Sequence, residues 1–155
     1  VEKVIEETGI EPRYLTLEVT ESLAINDMER MKKILDSIKA LGVKIALDDF
    51  GTGYSSLNHI REIPFDMIKV DQSFVKELAD DAYSQSFVKM VAELAETLGV
   101  NICVEGIETE AQYEVVRNMK VKYIQGYYFD RPMKCEDFEA KYCERACISR
   151  EECVR

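Results

Sequence analysis

The feature that most restricts the fold of this chain is a regular alternation of short apolar runs with longer segments of helical spacing. Tyr14 to Val19 reads as a strand, followed by a helix capped at Asn26 or Asp27. Within that helix Met28, Met31, Ile34, Leu35, Ile38 and Leu41 recur three and four residues apart until Gly42 ends it. Val43 to Leu47 forms a second strand, and a short helix follows around Ser56 to Glu62 until Pro64 breaks it. Met67 to Val70 is a third strand. A long helix comes next, with Phe87, Met90, Val91, Leu94, Ala95 and Leu98 on one face and Gly99 at its end. Ile102 to Val104, a helix from Ala111 to Met119, a strand from Tyr123 to Tyr127 and a helix from Cys135 to Cys147 complete the chain.

Alternating β and α units imply a parallel sheet covered by helices, either doubly wound or rolled into a βα-barrel. No Gly-x-Gly-x-x-Gly follows a strand, so the dinucleotide-binding version has no support. The polar residues separate the remaining choices. Glu18 and Glu21, Asp48 and Asp49, Lys69 and Asp71, Glu105 and Glu108, and Gln125 lie at or just beyond successive strand ends. A barrel gathers all strand ends on one rim, whereas an open sheet uses those beside its switch point. The expected fold is α/β: five or so βα units from the C-terminal part of a TIM-like, modified βα-barrel. A complete barrel has eight strands, and this 155-residue chain opens at Val1, so the other strands are expected upstream. Residues 1–134 are assigned to the partial barrel and 135–155 to a C-terminal helix and tail of the same domain.

The net charge of −10 argues against a DNA or RNA polymer as partner, because backbone binding needs excess Lys and Arg. It leaves room for a small phosphate-bearing substrate held through metal ions. No apolar run approaches the roughly 18–20 residues of a membrane span, and no signal peptide opens the chain, so no membrane contact is expected from this segment. The five cysteines, Cys103, Cys135, Cys143, Cys147 and Cys153, form an odd set with Cys103 inside a strand. That fits a reducing, cytoplasmic compartment and leaves open whether the parent protein is membrane-anchored. Cys143 and Cys147 lack a second close pair to complete a zinc site, and read as incidental thiols on a terminal helix.

Asp48-Asp49 is the sharpest chemical signal. Adjacent carboxylates leaving a buried strand repel one another and lose hydration unless cations compensate. Hard oxygen ligands select Mg²⁺, Mn²⁺ or Ca²⁺. Gly51 and Gly53 permit a tight loop, and Thr52 can satisfy its backbone; the bland alternative is a surface turn in which Asp49 caps a helix. Glu18 shares the polar strand face with Thr16, with an ordinary lysine pairing as the other reading. Glu21 is either a site residue or a solvated loop acid. Lys69, in an apolar strand, meets carboxylates or a bound anion if it points inward, or threads outward between helices. Asp71 shares its face nearer the rim, toward metal or substrate. Glu105 reads as a metal ligand or general base, and Glu108 as a site residue or a neighbour of a helix cap. Gln125 can bond water or phosphate oxygen. His59 reads as a packing or surface residue.

Five segments in order, Leu17–Ser22, Asp48–Leu57, Ile68–Val75, Val104–Thr109 and Gln125–Phe129, strongly resemble the EAL domain, a family of bacterial phosphodiesterases that linearise cyclic di-GMP to pGpG. The resemblance runs to about Met133. It implies a two-metal site of Mg²⁺ or Mn²⁺ in which Glu18 ligates one ion, Asp48 bridges and Asp49 holds the second. Glu105 is then a ligand of that ion or the base toward water. Lys69 binds water or phosphate, Gln125 contacts the water network, and Glu108 supports substrate or Lys69. Glu21 steadies the loop after Asp48-Asp49, and a homodimer through that loop and the helix after it is expected. Two departures stand out. The Glu-Ala-Leu signature and the asparagine of the following strand lie outside this chain, so one metal site is incomplete here and the segment alone is expected to be poorly active. Gln72 stands where a basic residue is common. The alternatives are a cyclic di-GMP receptor without catalysis and a dimerisation or interaction module.

Overall fold

The structure is a computed structural model and describes residues 1–21, 28–53 and 63–143. Five parallel strands form one sheet in chain order: β1 (Thr16–Thr20), β2 (Lys44–Phe50), β3 (Met67–Val70), β4 (Asn101–Val104) and β5 (Tyr123–Ile124). Helices α1 (Glu2–Thr8), α2 (Met28–Ala40), α3 (Ala82–Leu98), α4 (Glu110–Val116) and α5 (Cys135–Phe138) accompany them, the last continuing as a π-turn over Glu139–Cys143. A doubly wound sheet reverses its strand order at a switch point. No reversal occurs here, and the arrangement is that of consecutive strands in a TIM-like βα-barrel.

The strand pleat divides the sheet into two unlike faces. Ile45, Leu47, Ile68, Val70, Ile102 and Val104 lie on one face and are buried with α3 residues Val88, Val91, Ala92 and Ala95 in a single core. The other face carries Glu18, Asp48, Lys69 and Cys103, aligned by the pairings Glu18↔Ala46, Thr20↔Asp48 and Lys69↔Cys103. Such apolar-out, polar-in alternation is what a barrel needs when helices cover its exterior. Burying the core at about 25 cal/mol per Å² of apolar surface is the main force closing this layer.

Several element boundaries differ from the sequence reading. α1 is additional; its residues are mostly exposed, so no buried stripe marks it. β1 starts at Thr16 because Pro12–Tyr14 forms a 3₁₀ turn. β2 continues through Asp48 and Asp49 to Phe50, past the expected end at Leu47. β5 stops at Ile124, although Gln125 N–H still bonds Val104 O at 2.9 Å. α4 stops at Val116 rather than Met119. On α2 and α3, Ile34 and Met90 are exposed: the buried arc of α3 is centred on Val88, Val91 and Ala95, and Met90 falls outside it. The cap at Asn26 or Asp27, the Ser56–Glu62 helix, His59, and the end of the last helix with Cys147 lie outside the described residues. Asp130 accepts bonds from Lys141 Nζ and Tyr142 Oη, which tie the C-terminal turn back to the sheet's exit loop.

Candidate functional site

Lys69 organises the rim. It sits on the middle strand, so its side chain reaches carboxylates from strands on both sides. Its Nζ lies 2.6 Å from Glu18 Oε1 on β1, 3.1 Å from Asp48 Oδ1 on β2 and 3.0 Å from Glu105 Oε1 just beyond β4. Lys69 is only 6% exposed, which settles that it points inward. Burial alone pulls its pKa down, but the close contacts with Glu18, Glu105 and Asp48 outweigh burial and hold the ammonium above the ordinary lysine value. For Glu105 the order reverses: desolvation raises its pKa, and Lys69 only partly opposes this.

Asp48 Oδ1 is buried and accepts no well-directed hydrogen bond, its approach to Lys69 being ionic. Next to it the β2–β3 pairing slips between Leu47 and Phe50, and Asp49 takes φ 55°. Asp tolerates this left-handed conformation better than most residues, yet it is uncommon outside functional sites. The slip separates the two carboxylates: Asp48 turns toward Lys69, while Asp49 lines the neighbouring cavity. Burial, Asp48 and then Asp71 raise the Asp49 pKa.

The loop that follows is held from beneath. Glu21, 3% exposed, accepts from Gly51 N–H at 3.0 Å and Gly53 N–H at 3.3 Å. A methyl group on Gly53 would come within 2.8 Å of Glu21 Oε1, so the loop closes onto the carboxylate. Gly51 has φ 98° and rests on the stacked rings of Phe74 and Phe87, leaving no room for a side chain. Thr52 Oγ1 donates to Asp49 O at 2.9 Å. Glu21, Gly51, Thr52 and Gly53 therefore act as scaffold to the loop rather than as walls of the cavity.

Asp49, Asp71, Glu105, Glu108 and Gln125 line a cavity of about 280 Å³, together with Tyr127. A more apolar cavity of about 740 Å³ adjoins it at Gln125–Tyr127 and is walled by Phe129, Phe138 and Tyr142. The rim thus divides into a carboxylate–ammonium cluster (Glu18, Asp48, Lys69, Glu105) and an acidic cavity, with Glu105 common to both. Asp71 also serves the backbone, its Oδ1 capping the following 3₁₀ turn by accepting from Ser73 N–H at 2.9 Å.

Among the described residues, no group of three or more His, Cys, Asp or Glu side chains stands in metal-holding geometry; the carboxylates converge on Lys69 instead. The donor set nevertheless fits a hard divalent ion, being all carboxylate oxygen with one buried oxygen, Asp48 Oδ1, left without a hydrogen bond. Gln112 escaped the sequence reading. It is buried and joins two rim loops, and the Thr109-x-x-Gln112 capping box was the available signal.

The chain is similar to known proteins over most of its length. The family model described as EAL domain matches residues 1–132. Over 132 residues, 85% of this chain, the sequence is 42% identical to the bifunctional diguanylate cyclase/cyclic di-GMP phosphodiesterase MucR of Pseudomonas aeruginosa. The chain spans only 19% of that protein's length. The structure of the MucR phosphodiesterase in complex with c-di-GMP superposes with TM-score 0.85 at 40% identity, covering 89% of this chain and 56% of that one. A manganese and cyclic di-GMP complex of BlrP1 from Klebsiella pneumoniae matches with TM-score 0.79 at 32% identity, over 84% of this chain and 33% of the other. Strand order, rim chemistry and a family match over most of its length agree: the chain belongs to the EAL domain family.

Proposed function

We propose that this chain is part of a metal-dependent phosphodiesterase that hydrolyses cyclic di-GMP to pGpG in bacterial second-messenger signalling. The observation that carries the reading is the convergence of Glu18, Asp48 and Glu105 on Lys69, beside a cavity that Asp49, Asp71, Glu108 and Gln125 also line. Relatives named for this activity, and structures named for their cyclic di-GMP and manganese, support it.

In this reading Glu18, Asp48, Asp49 and Glu105 hold two divalent ions, Mg²⁺ or Mn²⁺. Bound there, the ions lower the pKa of water and polarise phosphoryl oxygens. Asp48, whose buried Oδ1 accepts no directed hydrogen bond, would be a ligand to these ions. Glu105, which lies at the Lys69 cluster and also lines the acidic cavity, is placed to accept a proton from water there. Lys69 keeps its positive charge and offsets negative charge on the phosphate. Gln125 and Glu108 orient water and substrate in the acidic cavity, and Asp71 faces the same space. We also propose a homodimer that uses the loop after Asp48-Asp49, which Glu21 holds at Gly51 and Gly53. No helix among the described residues is long and apolar enough to cross a membrane. The second-messenger substrate proposed above is the ground on which we assign the domain to the cytoplasm.

A cyclic di-GMP receptor without turnover is the second reading. Incubation of the full-length protein with cyclic di-GMP and Mg²⁺ or Mn²⁺, with nucleotides resolved by chromatography, separates the two. Release of pGpG that Asp48→Ala abolishes is expected. Bound but uncleaved nucleotide overturns the catalytic reading in favour of the receptor.

A further inference from the structure

Two of the rim loops lie next to each other above β3 and β4. One runs from Asp71 to Lys76, and the other from Glu105 to Thr109. They touch where Gly106 packs on Gln72, so closely that a methyl on Gly106 would lie 2.5 Å from Gln72 Cβ. The same two loops are joined through one side chain. Gln112 on α4 is 7% exposed. Its Oε1 accepts from Glu108 N–H at 2.8 Å and Thr109 N–H at 3.0 Å. Its Nε2 donates to Val75 O at 3.0 Å and Lys76 O at 3.3 Å. A buried amide bonded on both of its ends fixes the distance between the segments it joins, because stretching either end strands a buried polar group.

We propose that Gln112 is a positioning residue: it locks the Glu105–Thr109 loop to the Asp71–Lys76 loop and so sets the shape of the acidic cavity. The proposal rests on the phosphodiesterase reading. Glu105, Gly106 and Glu108 line the cavity from one loop and Asp71 and Gln72 from the other, so a shift between the loops moves opposite walls. No other side chain of this length bonds this way, since the site needs an acceptor facing two N–H groups and a donor facing two carbonyls. Glutamate supplies the acceptor half and loses the donor half. Thr109 offers a control. Its hydroxyl caps α4 by accepting from Gln112 N–H, and its removal weakens the helix without cutting the link between loops.

The test compares Gln112→Glu, Gln112→Ala and Thr109→Ala in the full-length protein by steady-state cleavage of cyclic di-GMP, Mn²⁺ dependence and thermal unfolding. Misplacement of catalytic groups by about 1 Å costs on the order of 100-fold in rate. Both Gln112 variants are therefore expected to lose about 10- to 100-fold in kcat, whereas Thr109→Ala loses Tm with kcat within about twofold of wild type. Activity that tracks Tm across all three variants overturns the proposal, as does an unchanged kcat in Gln112→Glu. Should Gln112→Glu fail to fold, Gln112→Met, which keeps the volume and removes the bonds, takes its place. A wild-type protein that binds cyclic di-GMP without cleaving it refutes the phosphodiesterase reading alone. Positioning is then read from nucleotide affinity, which Gln112→Glu is expected to lower about tenfold and Thr109→Ala to leave unchanged; equal affinity in Gln112→Glu and wild type overturns it. Wild type that neither binds nor cleaves the nucleotide overturns both.

Discussion

Replacing Lys69 with methionine removes the cation on which Glu18, Asp48 and Glu105 converge while nearly keeping its volume. Each contact, at 2.6 to 3.1 Å, is worth about 5–6 kcal/mol at an effective dielectric near 20, before desolvation is subtracted. Removing one partner of a buried pair costs about 3–5 kcal/mol, because the remaining charge is left uncompensated. The Glu18 side chain is half exposed, so solvent screens its share and places the loss near the lower end, at about 3 kcal/mol. For a domain of this size that is a fall in Tm of about 6–12 °C. The three carboxylates then face one another without the Lys69 ammonium, so a divalent ion should stabilise the variant more than the wild type. A metal concentration about 100 times Kd returns about 2.7 kcal/mol, nearly the whole loss. Thermal unfolding of both proteins in EDTA and in MnCl₂ measures this. The reasoning fails if Lys69→Met unfolds at the wild-type temperature in EDTA, or if manganese raises both proteins equally.

Glu21→Gln exchanges charge-assisted bonds to Gly51 and Gly53 for neutral ones, a loss of about 1–2 kcal/mol. Faster hydrogen exchange at those two amides and a higher Mn²⁺ requirement are the expected readouts. Gly126→Ala should unfold the rim, since the new methyl would lie 2.0 Å from Ile107 O, whereas Gly9→Ala meets nothing within 4 Å and should cost only its backbone strain of about 1 kcal/mol; denaturant midpoints compare the two. Asp81 caps α3 through Ser84 and Tyr83, and the bonds from Ser84 chiefly lower its pKa. A carboxylate depressed in the folded state stabilises above its unfolded pKa of about 3.9 and loses that contribution as pH falls through the folded value. Unfolding curves between about pH 6 and pH 2 should show Asp81→Asn less stable than wild type near neutrality, with the gap closing as acid is added.

The order of strands was readable because short apolar runs such as Met67–Val70 are bounded by turn residues, and that strand matches residue for residue. β2 was read too short for an instructive reason. Two aspartates look like loop on composition, yet the strand carries them, with the slip in register at Asp49 absorbing their repulsion. The candidate residues were readable one by one as polar groups at strand ends. Their division into an ammonium cluster and a separate cavity was not, because it depends on Asp48 and Asp49 turning apart, which sequence spacing does not encode. Gln112 was missed because glutamine on a helix usually faces water, and its buried partners are main-chain atoms 36 and 37 residues away. α1 has no apolar stripe to find, and its glutamates resemble a linker.

The place of Lys69 on the central strand also bears on the order in which the chain can fold. Parallel strands joined by helices bring distant residues together late, and partly assembled sheets must not be driven apart by their own charges. Any first pairing that includes β3, with β2 on one side or β4 on the other, already sets one carboxylate against the ammonium, and each added strand brings one more acid to a cation that is in place. A pairing that includes β3 therefore begins with its charges opposed as they are in the finished sheet.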